Sequence, residues 1–322
     1  MKKRVLSGIQ PSGKLHIGNY FGMIQRMVQY QEKSDLFLFL ANLHALTSSQ
    51  DPKILQQQTE EAVLDLLALG IDPKKSHFWI QSDVPEVTEL MWILSCVTPL
   101  GLLERAHSFK DKIAKGIDAS HGLFSYPILM AADILLYRAD IVPVGRDQKQ
   151  HLEIARDIAL KFNHGYGEIL TIPEPDIAED VAVIPGADGQ KMSKSYGNTI
   201  DIFAEEKELK KRVMSIVTDS TPVEAPKNPD TCIVYQLHKL FLSSKEAKAL
   251  ADRYRAGEFG YGDAKKMLFE ALWETFRPYR EKRAHLEKEA GLAGKLMSEG
   301  AAKVRAIAAE TLNEVRKAVG LK

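Results

Sequence analysis

Three stretches of the chain carry residue types whose spacing could do chemistry. The first is Pro11-Ser12-Gly13-Lys14-Leu15-His16-Ile17-Gly18-Asn19, where a Gly/Ser-rich turn meets the start of an apolar helical period. Free backbone N–H groups and the positive end of a helix dipole make such a junction a ready phosphate site. His16 and Asn19 stand where that helix opens, and an imidazole and an amide there can donate to phosphate oxygens as charge builds on them. The second is Gly189-Gln190-Lys191-Met192-Ser193-Lys194-Ser195, bracketed by Gly186 and Gly197. Glycines and serines there argue a mobile loop instead of a helix. Its two lysines can hold a triphosphate while backbone N–H groups approach a purine. The third is Met130-Ala131-Ala132-Asp133-Ile134-Leu135-Leu136-Tyr137, in which one acid interrupts an apolar run. A carboxylate in such surroundings is costly unless paired. Each stretch alone has a plainer explanation: a common strand-turn-helix opening, a solvated Lys-Ser turn, and an acid at a wet helix edge.

These residues need elements to hold them. Arg4 to Gln10 reads as a short strand, broken by Pro11, Ser12 and Gly13. The apolar period Ile17, Phe21, Ile24, Met27, Val28 predicts a helix to about Glu32. Asp35 to Asn42 is apolar throughout its interior, as a parallel strand covered on both faces is. Asp51-Pro52 opens a helix to Leu69, and Gly70 closes it. His77 to Gln81 reads as a third strand, Asp140 to Gly145 as another, and Gln148 to Phe162 as the helix after it. This alternation predicts an α/β fold with a doubly wound parallel sheet, Rossmann-like, whose ligands bind at the carboxyl ends of strands. Those ends carry Gln10, Asn42 and Gly145. The helical run from about 85 to 137 is too long for a simple crossover and reads as an insertion. From Phe203 onward strand signals stop. Helices follow at about 204–217, 231–242, 244–256, 263–289 and 294–319, with the Pro-rich segment 219–230 as a linker. The expected division is a catalytic α/β domain, 1–203, and an α-helical C-terminal domain, 204–322.

Composition narrows the class. The chain has 322 residues, 45% hydrophobic and 27% charged, with 43 basic and 43 acidic side chains, so a strongly basic nucleic-acid scaffold is excluded. A basic face is not: from Arg280 to Lys322, ten lysines and arginines stand against six acids, a net of +4. Cys96 and Cys232 lie far apart without metal spacing and read as two buried thiols in a reducing compartment. His44, His77 and His151 show no metal-ligand pattern either, and His151 reads as structural. The basic start Met1-Lys2-Lys3-Arg4 leads into a strand, not an apolar signal core, and no membrane span is expected. A cytoplasmic protein is the expectation.

Together, His16-Ile17-Gly18-Asn19 and Lys191-Met192-Ser193-Lys194-Ser195 resemble the motif pair of the class I aminoacyl-tRNA synthetases. The first departs from the family's His-Ile-Gly-His in its last residue: Asn19 keeps a donor but cannot carry a full positive charge. The second is unaltered, and the order and separation agree along nearly the whole chain. Ser7-Gly8-Ile9-Gln10-Pro11-Ser12-Gly13, Met130 to Tyr137, Pro143-Val144-Gly145 and Asp147-Gln148 are similar to the tryptophan branch, in its bacterial form. Tyrosine members share the fold but place polar partners around a phenol. Here the candidate wall of Leu6, Met130, Ile134, Val142 and Val144 is apolar and suits a bicyclic ring. Asp133 is left to accept the single indole N–H, since indole only donates. An acceptor left unpaired by a substrate lacking the donor would discriminate without an editing domain.

The resemblance implies a tryptophan–tRNA ligase that makes tryptophanyl-adenylate and pyrophosphate from L-tryptophan and ATP, then charges tRNA(Trp). It places Gln10, Ser12, Gly18, Asn19, Gly145, Asp147, Gln148 and Lys191 to Ser195 at ATP. Leu6, Gly8, Gln10, Tyr126, Met130, Asp133, Ile134, Val142, Val144 and Gln148 fall at tryptophan, with Tyr126 and Gln10 on its ammonium and carboxylate. His16, Asn19, Lys112, Lys191 and Lys194 serve the phosphates. Lys110 and Lys112 read by themselves as a solvated charge run, and the resemblance takes Lys112 to the leaving pyrophosphate. No carboxylate cluster offers a metal cage, so Mg2+ is expected mainly on the ATP phosphates. The resemblance also implies a homodimer, with Trp92, Leu100 and Leu102 as interface candidates. Three other readings stand beside it: a tyrosine enzyme, a small nucleotidyltransferase of the same sheet, and a catalytically silent RNA-binding relative.

Overall fold

Short apolar strands alternating with longer helices produce the sheet that the sequence leads one to expect. The computed structural model describes residues 2–48, 51–105, 120–145, 148–177 and 184–322. In chain order its elements include β1 (Arg4–Ile9), α1 (Ile17–Asn19), a π-helical turn (Tyr20–Ile24), α2 (Gln25–Lys33), β2 (Asp35–Leu40), α3 (Asn42–Ala45) and α4 (Pro52–Ala68). Next come β3 (Ser76–Ile80), α5 (Glu86–Val97), α6 (Leu100–Glu104), α7 (His121–Leu136), β4 (Ile141–Val144), α8 (Lys149–Tyr166) and β5 (Glu174–Ile177). The remainder is helical: α9 (Glu206–Met214), α10 (Ile233–His238), α11 (Ser244–Ala256), α12 (Tyr261–Leu286) and α13 (Leu292–Ala318).

Packing divides the chain into two units. One holds Met1–Gly13, Met27–Glu179 and Glu289–Lys322, and the other Lys14–Arg26 and Asp180–Lys288. This grouping differs from a single cut at Phe203, because α13 returns to the sheet of the first unit. The backbone of Gly300 lies so close to β3 that an added Cβ would stand 1.8 Å from the Phe78 carbonyl oxygen. Val304, Ala308, Leu312 and Val315 bury against the core of that unit. Ion pairs Arg305–Glu86 at 2.9 Å, Arg316–Glu89 at 2.7 Å and Arg138–Glu314 at 2.8 Å flank the contact.

The sheet of the first unit runs β3-β2-β1-β4-β5, every pair parallel. Strand order turns back at β1, so the crevice beyond the carboxyl ends of β1 and β4 is the topological switch point where such sheets take ligands. β5 was not legible in the sequence. Its Glu-Pro-Asp-Ile has a weak strand signature, and Pro175 is tolerated because β5 lies at the sheet edge. Cys96 is exposed, not buried as the composition led one to expect, whereas Cys232 is buried. No helix among the described residues is long and apolar enough to cross a membrane.

In the second unit, residues 14–26 are built in by backbone bonds to a later segment. Ile17 N–H donates to the Ile200 carbonyl at 3.0 Å, and Ile202 N–H to that of Leu15 at 3.1 Å. The helix expected as continuous from Ile17 is interrupted by the π-helical turn, which adds a residue to the repeat. That turn carries Tyr20 into an aromatic cluster with Phe21, Phe276 and Tyr279, and its hydroxyl lies 3.1 Å from that of Tyr279. The segment read as a linker is pinned: the buried Lys227 ammonium donates to the carbonyls of Pro222, Val223 and Ala225.

Candidate active site

Within the first unit the chemistry gathers on one face of α7. Tyr126, Met130 and Asp133 are spaced at i, i+4 and i+7, so they lie together along the helix. Tyr126 and Met130 are half-buried on a helix whose other positions are mostly sealed. Asp133 is 2% exposed, and burial pushes its carboxyl above the ordinary range while hydrogen bonds from His44 and Gln81 oppose the shift. Gln81 Nε2 donates to both carboxylate oxygens, at 2.8 and 2.9 Å, and His44 Nε2 lies 2.8 Å from one of them. The amide of Gln81 is oriented in turn, because its Oε1 accepts the Leu43 N–H at 3.0 Å. An ionised carboxylate offers about four acceptor positions. Three are engaged by these partners, which leaves room for one further donor.

Sequence reasoning missed both partners of Asp133. His44 stands just past β2 and Gln81 just past β3, at strand ends where the topology puts ligand sites. That position was the available signal. His151 is buried, and its Nε2 shares a hydrogen bond with the Tyr126 hydroxyl, so it orients that ring.

The remaining expected residues of this unit fall as follows. Leu6, Ile134, Val142 and Val144 are buried in one apolar cluster, with Met130 packed against it. Gly8 is the exposed position of β1, and an added Cβ would stand 2.6 Å from the Phe39 ring. Gln10, Ser12, Gly145 and Gln148 are exposed, Gln10 and Gly145 directly past the ends of β1 and β4. Asp147, Lys110 and Lys112 lie outside the described residues.

The second unit brings the two lysine- and histidine-bearing motifs together. Residues 184–192 turn back as a hairpin, Met192 N–H donating to Ile184 O at 2.9 Å and Gly186 N–H to Gln190 O at 2.7 Å. Lys194–Tyr196 form one 3-10 turn that Gly197 closes in the left-handed region, φ 62. Met192 is buried, Lys191 and Ser195 are exposed, and Ser193 and Lys194 are half-buried. Gly18 is needed where it stands: an added Cβ would lie 2.8 Å from His16 Nδ1 and 3.4 Å from Met192 Sδ. The His16 ring thus lies over the Gly18 backbone, beside the lysine motif. Its pKa is lowered to about 4, first by burial and then by the Lys194 charge, so it is neutral at pH 7. Its buried Nδ1 has no hydrogen-bond partner among the described residues.

The opening of α1 engages part of the donor set that the sequence leaves free. Backbone N–H groups at the opening of α1 were to face a phosphate, but three are engaged: Ile17 with Ile200, and Asn19 and Tyr20 with the His16 carbonyl. Asn19 Oδ1 accepts the His16 N–H at 3.1 Å. Anchored by its oxygen, the amide has its nitrogen left as the donor. Among the described residues no group of three or more His, Cys, Asp or Glu could hold a metal ion.

The chain matches the family model "tRNA synthetases class I (W and Y)" over residues 1–277. It is 57% identical over 318 residues to the tryptophan–tRNA ligase of Campylobacter jejuni, covering 99% of this chain and all of that one. Identity to the Fusobacterium nucleatum tryptophan–tRNA ligase is 55% over 320 residues, covering 99% of this chain and 98% of the other. The crystal structure of the Campylobacter jejuni tryptophanyl-tRNA synthetase complexed with ADP and tryptophan superposes with a TM-score of 0.93, covering 99% of this chain and 100% of that one.

Proposed function

The chain belongs to the class I tRNA synthetases of the tryptophan and tyrosine group, in the bacterial tryptophan branch, and we propose how its two units divide the work. It is a ligase that activates L-tryptophan with ATP to tryptophanyl-adenylate and pyrophosphate, then passes tryptophan to tRNA. The first unit selects the amino acid. Asp133 takes the indole N–H in the acceptor position that His44 and Gln81 leave, and Leu6, Met130, Ile134, Val142 and Val144 form the apolar wall. Gly8 keeps the β1 surface low for the ring, and Gln10, Gln148 and Tyr126, the last held by His151, bind the polar end of the substrate.

The second unit handles the triphosphate. The tryptophan carboxylate attacks the α-phosphorus in line, and the bond to the bridging oxygen of pyrophosphate breaks. Such a step asks the protein for positioning and charge stabilisation, not covalent chemistry. Neutral His16 and the Asn19 amide donate to phosphate oxygens, while Lys191 and Lys194, joined by Lys112, offset the charge that grows on the leaving group. Gly18 clears the approach of the His16 ring. Ser12, Gly145 and Asp147 serve the nucleotide, with Met192, Ser193 and Ser195. Mg2+ travels on the phosphates, which suits a cation that keeps most of its water.

Three further features belong to this reading. The tRNA is tRNA(Trp), and its contact surface lies among the helices from 206 onward, where Arg305 and Arg316 of α13 are already paired with Glu86 and Glu89. The protein works in the cytoplasm as a homodimer. Trp92 is 71% exposed and Leu100 67%, an apolar pair on α5 and α6 that supports an interface there, while Leu102 is half-buried against the core.

The Asp133 carboxylate with its three engaged acceptor positions carries the specificity. Replacing tryptophan by benzothienylalanine, of the same shape with sulfur for the indole N–H, tests it. Activation is expected to fall by about a hundredfold or more, since a site built for a donor rejects the analogue that lacks it. Equal activation of both would remove Asp133 from the specificity role.

A further inference from the structure

Asn198 follows the lysine motif and is 3% exposed, an amide sealed inside the second unit. It makes three side-chain hydrogen bonds. Oδ1 accepts the Ser193 N–H at 2.8 Å, and Nδ2 donates to Asp188 Oδ1 at 2.8 Å and to the Lys191 carbonyl at 3.1 Å. Asp188 is itself fixed, accepting the Gln190 N–H at 3.0 Å through the same oxygen. Gly186 closes the other side: a Cβ there would stand 2.3 Å from Asn198 Cγ and Nδ2. One buried amide therefore ties the backbone at Lys191 to the backbone one residue before Lys194.

We infer that Asn198 is the positioning residue of the nucleotide-handling lysines: it sets the separation of Lys191 and Lys194, and Asp188 holds its amide the right way round. The inference rests on the reading of those lysines as the phosphate-holding pair. Lysine side chains are long and rotate freely, so their fit to a triphosphate depends on the placement of the backbone that bears them. An amide is the group that suits the position, since it accepts from an N–H at one end and donates to two oxygens at the other. A carboxylate there would face the Asp188 carboxylate and the Lys191 carbonyl with no proton to give.

The test is tryptophan-dependent ATP–pyrophosphate exchange with ATP and tryptophan varied separately, in Asn198→Asp and in the exchanged pair Asp188→Asn/Asn198→Asp. In the single variant kcat/KM for ATP is expected to fall about ten- to a hundredfold, with KM for tryptophan changed by less than about twofold. The exchanged pair recovers part of the loss, because the new amide at 188 donates to the new carboxylate at 198, which still accepts from Ser193 but has no donor for the Lys191 carbonyl. A folded single variant with unaltered ATP parameters, or a loss shared equally by both substrates and not rescued, would overturn the inference. Should Asn198→Asp not fold, Asp188→Ala decides: it leaves Asn198 in place but frees its amide to turn, and an unchanged KM for ATP contradicts the inference. Lys191→Ala and Lys194→Ala separate the two claims. If they leave KM for ATP unchanged, the reading of the lysine pair fails. If they raise it and Asn198→Asp does not, only the role of Asn198 falls.

Discussion

Asp133 is held as a charge acceptor by donors that the chain supplies from two strand ends, His44 and Gln81. Asp133→Asn keeps an acceptor for the indole but turns an amide toward groups that themselves donate. A loss of about 1–3 kcal/mol in tryptophan binding is expected, together with a lower Tm, read by calorimetry and thermal melts. His16 gives a pH signature. Its folded pKa of about 4 lies below the ordinary 6.5, so on acidification the unfolded chain takes the proton first. Stability of the second unit should therefore decline as pH falls from about 6.5 toward 4, and His16→Gln should flatten that slope in melts across the range. The sequence displayed His16, Asp133 and the lysines because each interrupts its surroundings. It did not display His44, Gln81 or Asn198, whose types are ordinary in loops and whose significance comes from partners brought near by folding. His44 and Gln81 lie 89 and 52 residues from Asp133 along the chain.

At the level of elements, the apolar pattern exposed four of the five strands and most helices, since short continuous apolar runs are what a parallel sheet covered on both faces imposes. β5 escaped because an edge strand needs only backbone pairing. The π-helical turn escaped because an inserted residue shifts register without changing composition. The return of α13 to β3 was equally hidden, its sign being one glycine. Gly300→Ala would force a methyl into the Phe78 carbonyl. Overpacking of this kind costs about 1–3 kcal/mol, so Tm should fall by roughly 2–10 °C. Full retention of Tm would mean that the helix can lift from the strand without loss.

Across the whole molecule, zero net charge and two separately packed units set what binding to RNA can rest on. Phosphate attraction must come from local clusters such as Lys207, Lys210 and Lys211 on α9, exposed together. Replacing these three with glutamine should weaken tRNA affinity and flatten its dependence on salt, while leaving adenylate formation intact. The exposed Trp92 and Leu100 make a matching forecast for assembly: light scattering should report a dimer, and Trp92→Glu should shift it toward monomer. Beneath both lies the claim that the first unit chooses tryptophan through Asp133. Its most direct test is amino-acid-dependent ATP–pyrophosphate exchange with tryptophan and tyrosine in parallel, on wild type and Asp133→Asn. Exchange with tryptophan alone, weakened by the substitution, is the predicted result; exchange with tyrosine, or tryptophan exchange indifferent to Asp133, would contradict it.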